Sequence, residues 1–291
     1  MSNQALFLTP SLIWGSTWLA ITYQLGVVAP EVSVAYRFAL ASLCLTAWCA
    51  ASGASLRFSR RNHMFLAGFG ATMFGLNYIA VYWAERFVTS GLVAVVFSTI
   101  VFMSPVGMRI AFGVPLTVRT LVAAAFGVAG VALLFLPVLD AARHGGSAAL
   151  GIALAFCGTA IAAAGNLIAV RNHNRGLPTF PATAWGMAYG ALTAALVTTA
   201  TGAPWTFDPR AEYVASLVYL TLFGSIAAFG TYLTLLKRVG AGPSSFVAVS
   251  TPVIALMLST LFEGYQWTWI AALGVLLAVI GYALAMAPTR K

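Results

Sequence analysis

Phe74, Tyr78 and Tyr82 recur at every fourth position of "ATMFGLNYIAVYWAERF", with Asn77 alongside. On a helix this spacing puts the three rings on one face. Tyr joins an apolar ring to a hydroxyl, which suits non-covalent binding of a flat amphipathic solute. The competing reading is core packing, with Tyr82 and Trp83 in an interfacial aromatic belt. Trp14, Ser16, Thr17 and Trp18 form a second polar-aromatic group, and Gly15 among them allows close helix approach. Arg37 stands inside the apolar run "SVAYRFALASLCL". A charge at the centre of a membrane helix costs at least ~2.5–3.5 kcal/mol, so its retention asks for a reason.

Covalent chemistry lacks its parts. A hydrolase within the membrane needs a nucleophile and a base at depth. His63, His144 and His173 are expected in loops, and HExxH and GxSxG are absent. Glu31, Glu85, Asp140, Asp208, Glu212 and Glu263 fall at or beyond the ends of apolar runs. A non-enzymatic protein without metal or cofactor is expected. The same placement leaves no proton-binding group inside a span, so flux is expected to follow the solute gradient alone. Sodium coupling through hydroxyls and carbonyls, a channel and a lipid-handling protein stay open. Cys44, Cys49 and Cys157 are odd in number and form no CxxC, and they read as small buried residues rather than a disulfide or zinc framework.

The elements that must position these groups follow from composition. The chain is 61% hydrophobic and 7% charged, against about 25% charged in soluble domains. It reads as an all-α integral membrane protein. The net charge of +9 is not gathered into a basic patch. Lys and Arg sit in short breaks between apolar runs, so no nucleic-acid partner is expected. The N-terminus lacks a basic n-region and reads as a retained first span. A crossing takes about 20 apolar residues, which places spans at 5–26, 31–51, 64–84, 88–110, 117–136, 148–170, 180–200, 213–236, 243–261 and 267–287. With the N-terminus in the cytoplasm, eleven Lys and Arg fall inside and three (Arg86, Arg143 and Arg210) fall outside. That bias puts both termini in the cytoplasm.

The two halves repeat. "RFVTSGLVAVVFSTIVFMSP" from Arg86 resembles "RVGAGPSSFVAVSTPVIALM" from Arg238, and it sets Ser98–Thr99 against Ser250–Thr251. "GVALL" from Gly130 matches "GYALA" from Gly281, and "WGST" from Trp14 lies opposite "CGTA" from Cys157. Pro30 opposite Pro178 sets Arg37 against Trp185. Residues 1–140 and 148–291 then form two five-helix repeats. An odd number of spans inverts the second copy, which is an architecture of alternating-access transporters. Pro105, Pro243 and Pro252 read as kinks, and Asn166 as interhelical glue.

"IWGSTW", "AYRFALA", "TSGLVAVVFSTIVF" and "LFEGYQWTWIAALGVLLAVIGYAL", in that order, resemble the drug/metabolite transporter superfamily. The likeness is to its ten-span exporter branch of the EamA type, and among these to exporters of aromatic and neutral amino acids. It implies ten transmembrane helices as two inverted repeats around a central cavity, working as a multi-pass exporter in a bacterial inner membrane. The family's acid before the fifth span of each repeat matches Glu263, but the first repeat reads "FGVPLT" there. A role for that acid in both halves therefore fails.

The expected midplane lining is Trp14, Asn77, Tyr78, Tyr82, Trp185 and Ser244. Phosphorylated solutes would find little to receive their charge. A cationic drug, the alternative cargo, would find rings but no acid at depth. A zwitterion with a flat apolar side chain fits best, so aromatic and large neutral amino acids are the expected substrates, and a monomer is expected. Arg37 either meets a substrate carboxylate, or snorkels outward or pairs with an outer acid as a gating latch, with Glu263 among the candidate partners. Its lack of a charged counterpart at Trp185 argues against a symmetric substrate clamp.

Overall fold

The computed structural model describes residues 1–143, 147–239 and 246–286. Regular structure among them is helical throughout. Helix α1 (Asn3–Thr22) opens on Ser2, whose hydroxyl accepts from the Ala5 N–H, and α2 (Pro30–Ala51) begins with the proline that fits a first turn. Helix α3 (Arg60–Gly70) is capped by Ser59 and runs through a π-helical segment, Ala71–Leu76, into α4 (Asn77–Ala84). Helices α5 (Ser90–Ser98) and α6 (Ile100–Phe112) meet at Thr99. Then come α7 (Val118–Arg143), α8 (Ala148–Asn174) and α9 (Thr179–Thr201). Helix α10 (Ala211–Tyr219) passes through a second π-helical segment, Leu220–Ala227, into α11 (Ala228–Val239), followed by α12 (Phe246–Phe262) and α13 (Trp269–Met286).

Among the described residues, each expected span overlaps one helix or helices joined end to end. Among the described residues, six stretches are long and apolar enough to cross a membrane: Asn3–Thr22, Pro30–Ala51, Arg60–Ala84, Ser90–Phe112, Ala148–Asn174 and Ala211–Tyr232. Shorter apolar helices cover Val118–Leu133, Ser250–Phe262 and Trp269–Gly281. Ile110, Val118, Leu261 and Trp269 point outward, as lipid-facing side chains do. Helix α7 continues to Arg143, past residue 140 where the first half was expected to end.

The main buried cluster joins α2, α4, α5, α9 and the second π segment through Phe38, Tyr82, Val93, Val96, Met187 and Leu220. The most extensive helix pairing is α7 with α13. A Cβ on Gly130 would lie 2.5 Å from the Gly274 carbonyl oxygen and the Ala278 nitrogen. One on Gly281 would lie 2.7 Å from the Ala123 carbonyl oxygen and the Gly127 nitrogen. One sequence offset relates both glycines and all four of their neighbours.

Contacts between helix ends define two poles. At the acidic pole Glu31 meets Trp83 and Thr201, Glu263 meets Ser90, and Asp208 pairs with Arg210. At the basic pole Trp185 meets Leu56, and Arg171 lies against Phe65. Two findings correct the sequence reading and one extends it. Glu31 and Glu85 at helix ends, and Asp208 in the loop before α10, are buried, because rings and neighbouring helix ends close over them. His63 and His173 lie within α3 and α8 rather than in loops, whereas His144 falls outside the described residues. Of the cysteines only Cys49 is buried; Cys44 and Cys157 face outward.

Candidate functional site

Both π-helical segments carry the motif T-x-F-G: Thr72–Gly75 in the first and Thr221–Gly224 in the second. A π turn shifts the backbone register by one residue and recurs at functional sites. In the second segment the Ser225 hydroxyl donates to the Leu220 carbonyl at 2.9 Å, and the Trp14 indole donates to the Gly224 carbonyl at 3.2 Å. A Cβ on Gly224 would sit 2.8 Å from Thr17 Cγ2 and 3.5 Å from Arg37 Nη2. Only glycine lets that backbone approach α1 and α2 together. The two copies face differently: Phe74 is buried, whereas Phe223 faces outward.

A cavity of about 280 Å³ lies against the first segment, at Met73 and Phe74, and against α11 just after the second, at Phe229. That is near the lower end of the roughly 300–1,000 Å³ typical of small-molecule sites. Its apolar wall is Trp14, Trp18, Met73, Phe74, Phe97, Ile100, Phe229 and Pro252. Its polar groups are Thr17, Asn77, Tyr78, Ser98, Asn166 and Thr251. A smaller chamber of about 40 Å³ shares Thr17, Trp18, Asn77, Tyr78 and Phe97 and adds Ile21 and Val81. Ring contacts stiffen the wall: Trp18 to Phe97 at 5.3 Å, Trp14 to Phe229 at 5.2 Å and Tyr78 to Phe38 at 4.8 Å between centroids. The Asn77 amide oxygen is buried and accepts no hydrogen bond. Buried acceptors are nearly always satisfied, so this one is ready for a donor brought by a ligand.

Of the expected lining, the structure brings Trp14, Asn77 and Tyr78 together. Tyr82 lies one turn beyond Tyr78, fully buried, and its hydroxyl accepts from Arg37 Nη1 at 3.4 Å rather than meeting the cavity. Trp185 is elsewhere. Its indole donates to the Leu56 carbonyl at 2.9 Å, and it packs on His63 and Tyr189 near the basic pole. The repeat pairing does not say which way its helix face turns. Ser244 lies outside the described residues.

Arg37 is 2% exposed and stands behind the cavity wall. Its guanidinium carbon lies 4.7 Å from the Tyr78 ring centroid and 5.1 Å from that of Phe38. Among the described residues the ion pair is Arg210 with Asp208, at 2.6 Å, and no carboxylate stands at that distance from Arg37. Ring faces and the Tyr82 hydroxyl hold this cation instead, and its Nε has no partner. Glu263 accepts from the N–H and hydroxyl of Ser90, and so ties the end of α12 to the start of α5.

The reading of the sequence missed Phe97, Phe229 and Thr251. A signal for one of them was present: the repeated pairs Ser98–Thr99 and Ser250–Thr251 each supply one cavity hydroxyl, Ser98 and Thr251. The T-x-F-G repeat was equally visible.

Comparisons with known proteins give a family match, two relatives and a fold likeness. The model described as "EamA-like transporter family" matches residues 2–136 and again 149–287. The chain is 25% identical to "Protein PagO" of Salmonella typhimurium, over 98% of this chain and 93% of that one. It is 27% identical to "Uncharacterized inner membrane transporter YedA" of Escherichia coli K12, over 92% of this chain and 86% of that one. A protein of known crystal structure aligns over 98% of this chain and 96% of its own with a TM-score of 0.66. At 22% identity that likeness is one of fold.

Proposed function

The chain belongs to the EamA-like transporter family, and we propose that it exports aromatic and other large neutral amino acids across a bacterial inner membrane by alternating access. The observation that carries the substrate class is the cavity itself. It offers two tryptophans, a tyrosine and three phenylalanines for stacking, with amides and hydroxyls at intervals and no ionised group among the described residues of its lining. A flat side chain gains ring contacts worth about 0.5–1.5 kcal/mol each beyond its burial. The substrate ammonium donates to the Asn77 amide oxygen, and the carboxylate takes hydroxyl donors. A phosphate would be desolvated with no cation in the lining to meet it.

Ten spans in two inverted repeats, each half carrying one of the paired segments, supply the moving parts. Three observations support that reading. The family model matches once in each half. The reciprocal close approaches of Gly130 and Gly281 have the pattern a two-fold pseudo-symmetry gives. The T-x-F-G segments fall on corresponding helices. Cytoplasmic termini follow from the bias of Lys and Arg, and the inner-membrane placement from the relative YedA. The acidic pole then faces outward.

Binding of substrate to the folded state raises the unfolding temperature by mass action. Tryptophan and phenylalanine at saturating concentration are expected to shift the midpoint of the purified protein by a few degrees, and glucose 6-phosphate to leave it unchanged. A shift with cationic amines but not with aromatic amino acids would move the assignment to drug export.

A further inference from the structure

Four carboxylates close the acidic pole, and three of them are engaged. Glu31 accepts from the Trp83 indole at 3.1 Å and the Thr201 hydroxyl at 3.2 Å. Glu263 takes both donors of Ser90, and Asp208 forms a fork with Arg210. Glu85, just past the end of α4, is only 8% exposed, and neither of its carboxyl oxygens has a hydrogen-bond partner. This is the one buried carboxyl among the described residues left in that condition.

Its charged and titratable surroundings offer no compensation. From α2 come Arg37, spent on the Tyr78 and Phe38 rings and on Tyr82, and Glu31, already engaged. Tyr82 and Tyr78 come from α4 itself, and Glu263 from beyond α12. The adjacent Arg86 is exposed and turned over the Trp83 ring, 4.6 Å from its centroid. Burial, and the Glu263 carboxylate nearby, hold the Glu85 carboxyl well above the usual carboxylate range, against the opposing pull of Arg37. A carboxyl shut from water without a partner takes up a proton rather than staying ionised.

We propose that Glu85 is the proton-binding site of the acidic-pole gate: it carries a proton while that pole is closed, as here, and passes it to the water that enters when the pole opens. The proposal rests on the alternating-access reading. The closed state holds the raised pKa and the opened state, with Glu85 in water, an ordinary one. The closed state therefore binds more protons. Acid on that face holds it shut, and closure weakens as pH rises through the raised value. The proton enters and leaves on the same face, so it gates the flux without driving it. The expectation of gradient-driven export stands, but its premise changes, because a titratable group does lie buried beside the bundle core.

Two readouts test this on the whole protein. Infrared difference spectra of protein in lipid nanodiscs, titrated from acid to neutral pH, are expected to show a protonated-carboxyl band persisting above the ordinary carboxylate range. Glu85→Gln should remove it, Glu85→Asp should shift it and Glu263→Gln should keep it. A band that survives Glu85→Gln, or carboxyls that all titrate in the ordinary range, overturns the assignment. Should Glu85→Gln fail to fold, the shift in Glu85→Asp decides. In flux assays, acidifying the acidic-pole face should slow export by at most about tenfold per pH unit, the limit for one proton, and Glu85→Gln should flatten that dependence. Loss of the spectral assignment with flux intact sinks the gate alone. A spectral assignment that holds while aromatic amino acids do not move sinks the exporter reading alone.

Discussion

Tyr78→Ala is expected to lower tryptophan and phenylalanine flux roughly tenfold or more while leaving the protein folded. The ring is half-buried in the cavity wall, and it backs onto Phe38 and the Arg37 guanidinium. Its loss removes a stacking surface worth about 0.5–1.5 kcal/mol. It also removes one of the two faces that hold a desolvated cation, a contact worth about 2 kcal/mol. Each 1.4 kcal/mol is a factor of ten when it falls on the transported state. Tyr78→Phe keeps the ring and should stay close to the parent protein. Flux per folded transporter, normalised by monodisperse protein on size exclusion, checks both. Normal flux through folded Tyr78→Ala would mean the substrate rests elsewhere.

Arg37→Ala is expected to cut transport by a similar factor, for tryptophan and for tryptophan amide alike. Arg37 does not line the cavity. It stands behind Tyr78 and fixes that ring and Tyr82. A residue that acts by positioning fails all solutes equally, whereas one that binds the substrate carboxylate fails only solutes that carry it. Arg37→Lys should rescue poorly, because a compact ammonium cannot lie flat against two rings and reach a hydroxyl as a guanidinium does. Paired flux measurements on the acid and its amide decide. Selective loss of the acid would make Arg37 a substrate ligand.

Much of this arrangement was legible in the residues. Span limits follow from Gly, Pro and charge because breaking a helix in lipid exposes backbone groups that need partners. Phe74 and Tyr78, expected on one face, both line the cavity. Tyr82 departed from it because Arg37, one charge inside an apolar bundle, drew its hydroxyl inward. The π segments are invisible to apolar periodicity, since a one-residue shift in hydrogen bonding leaves composition unchanged. Their T-x-F-G repeat is the trace they do leave. Trp185 shows the limit of repeat matching, which carries no information on rotation about a helix. Glu85 shows the reach of position: a helix end in sequence is not a wet end in space when neighbouring helices close over it.

The central claim, that this cavity carries aromatic amino acids across the membrane, is met most directly by counterflow. Proteoliposomes are loaded with unlabelled tryptophan and diluted into trace labelled tryptophan at equal pH on both sides. The labelled amino acid is expected to accumulate transiently above its outside concentration, with no such overshoot in vesicles loaded with glucose 6-phosphate. Folded protein that gives no overshoot with tryptophan inside would contradict the account.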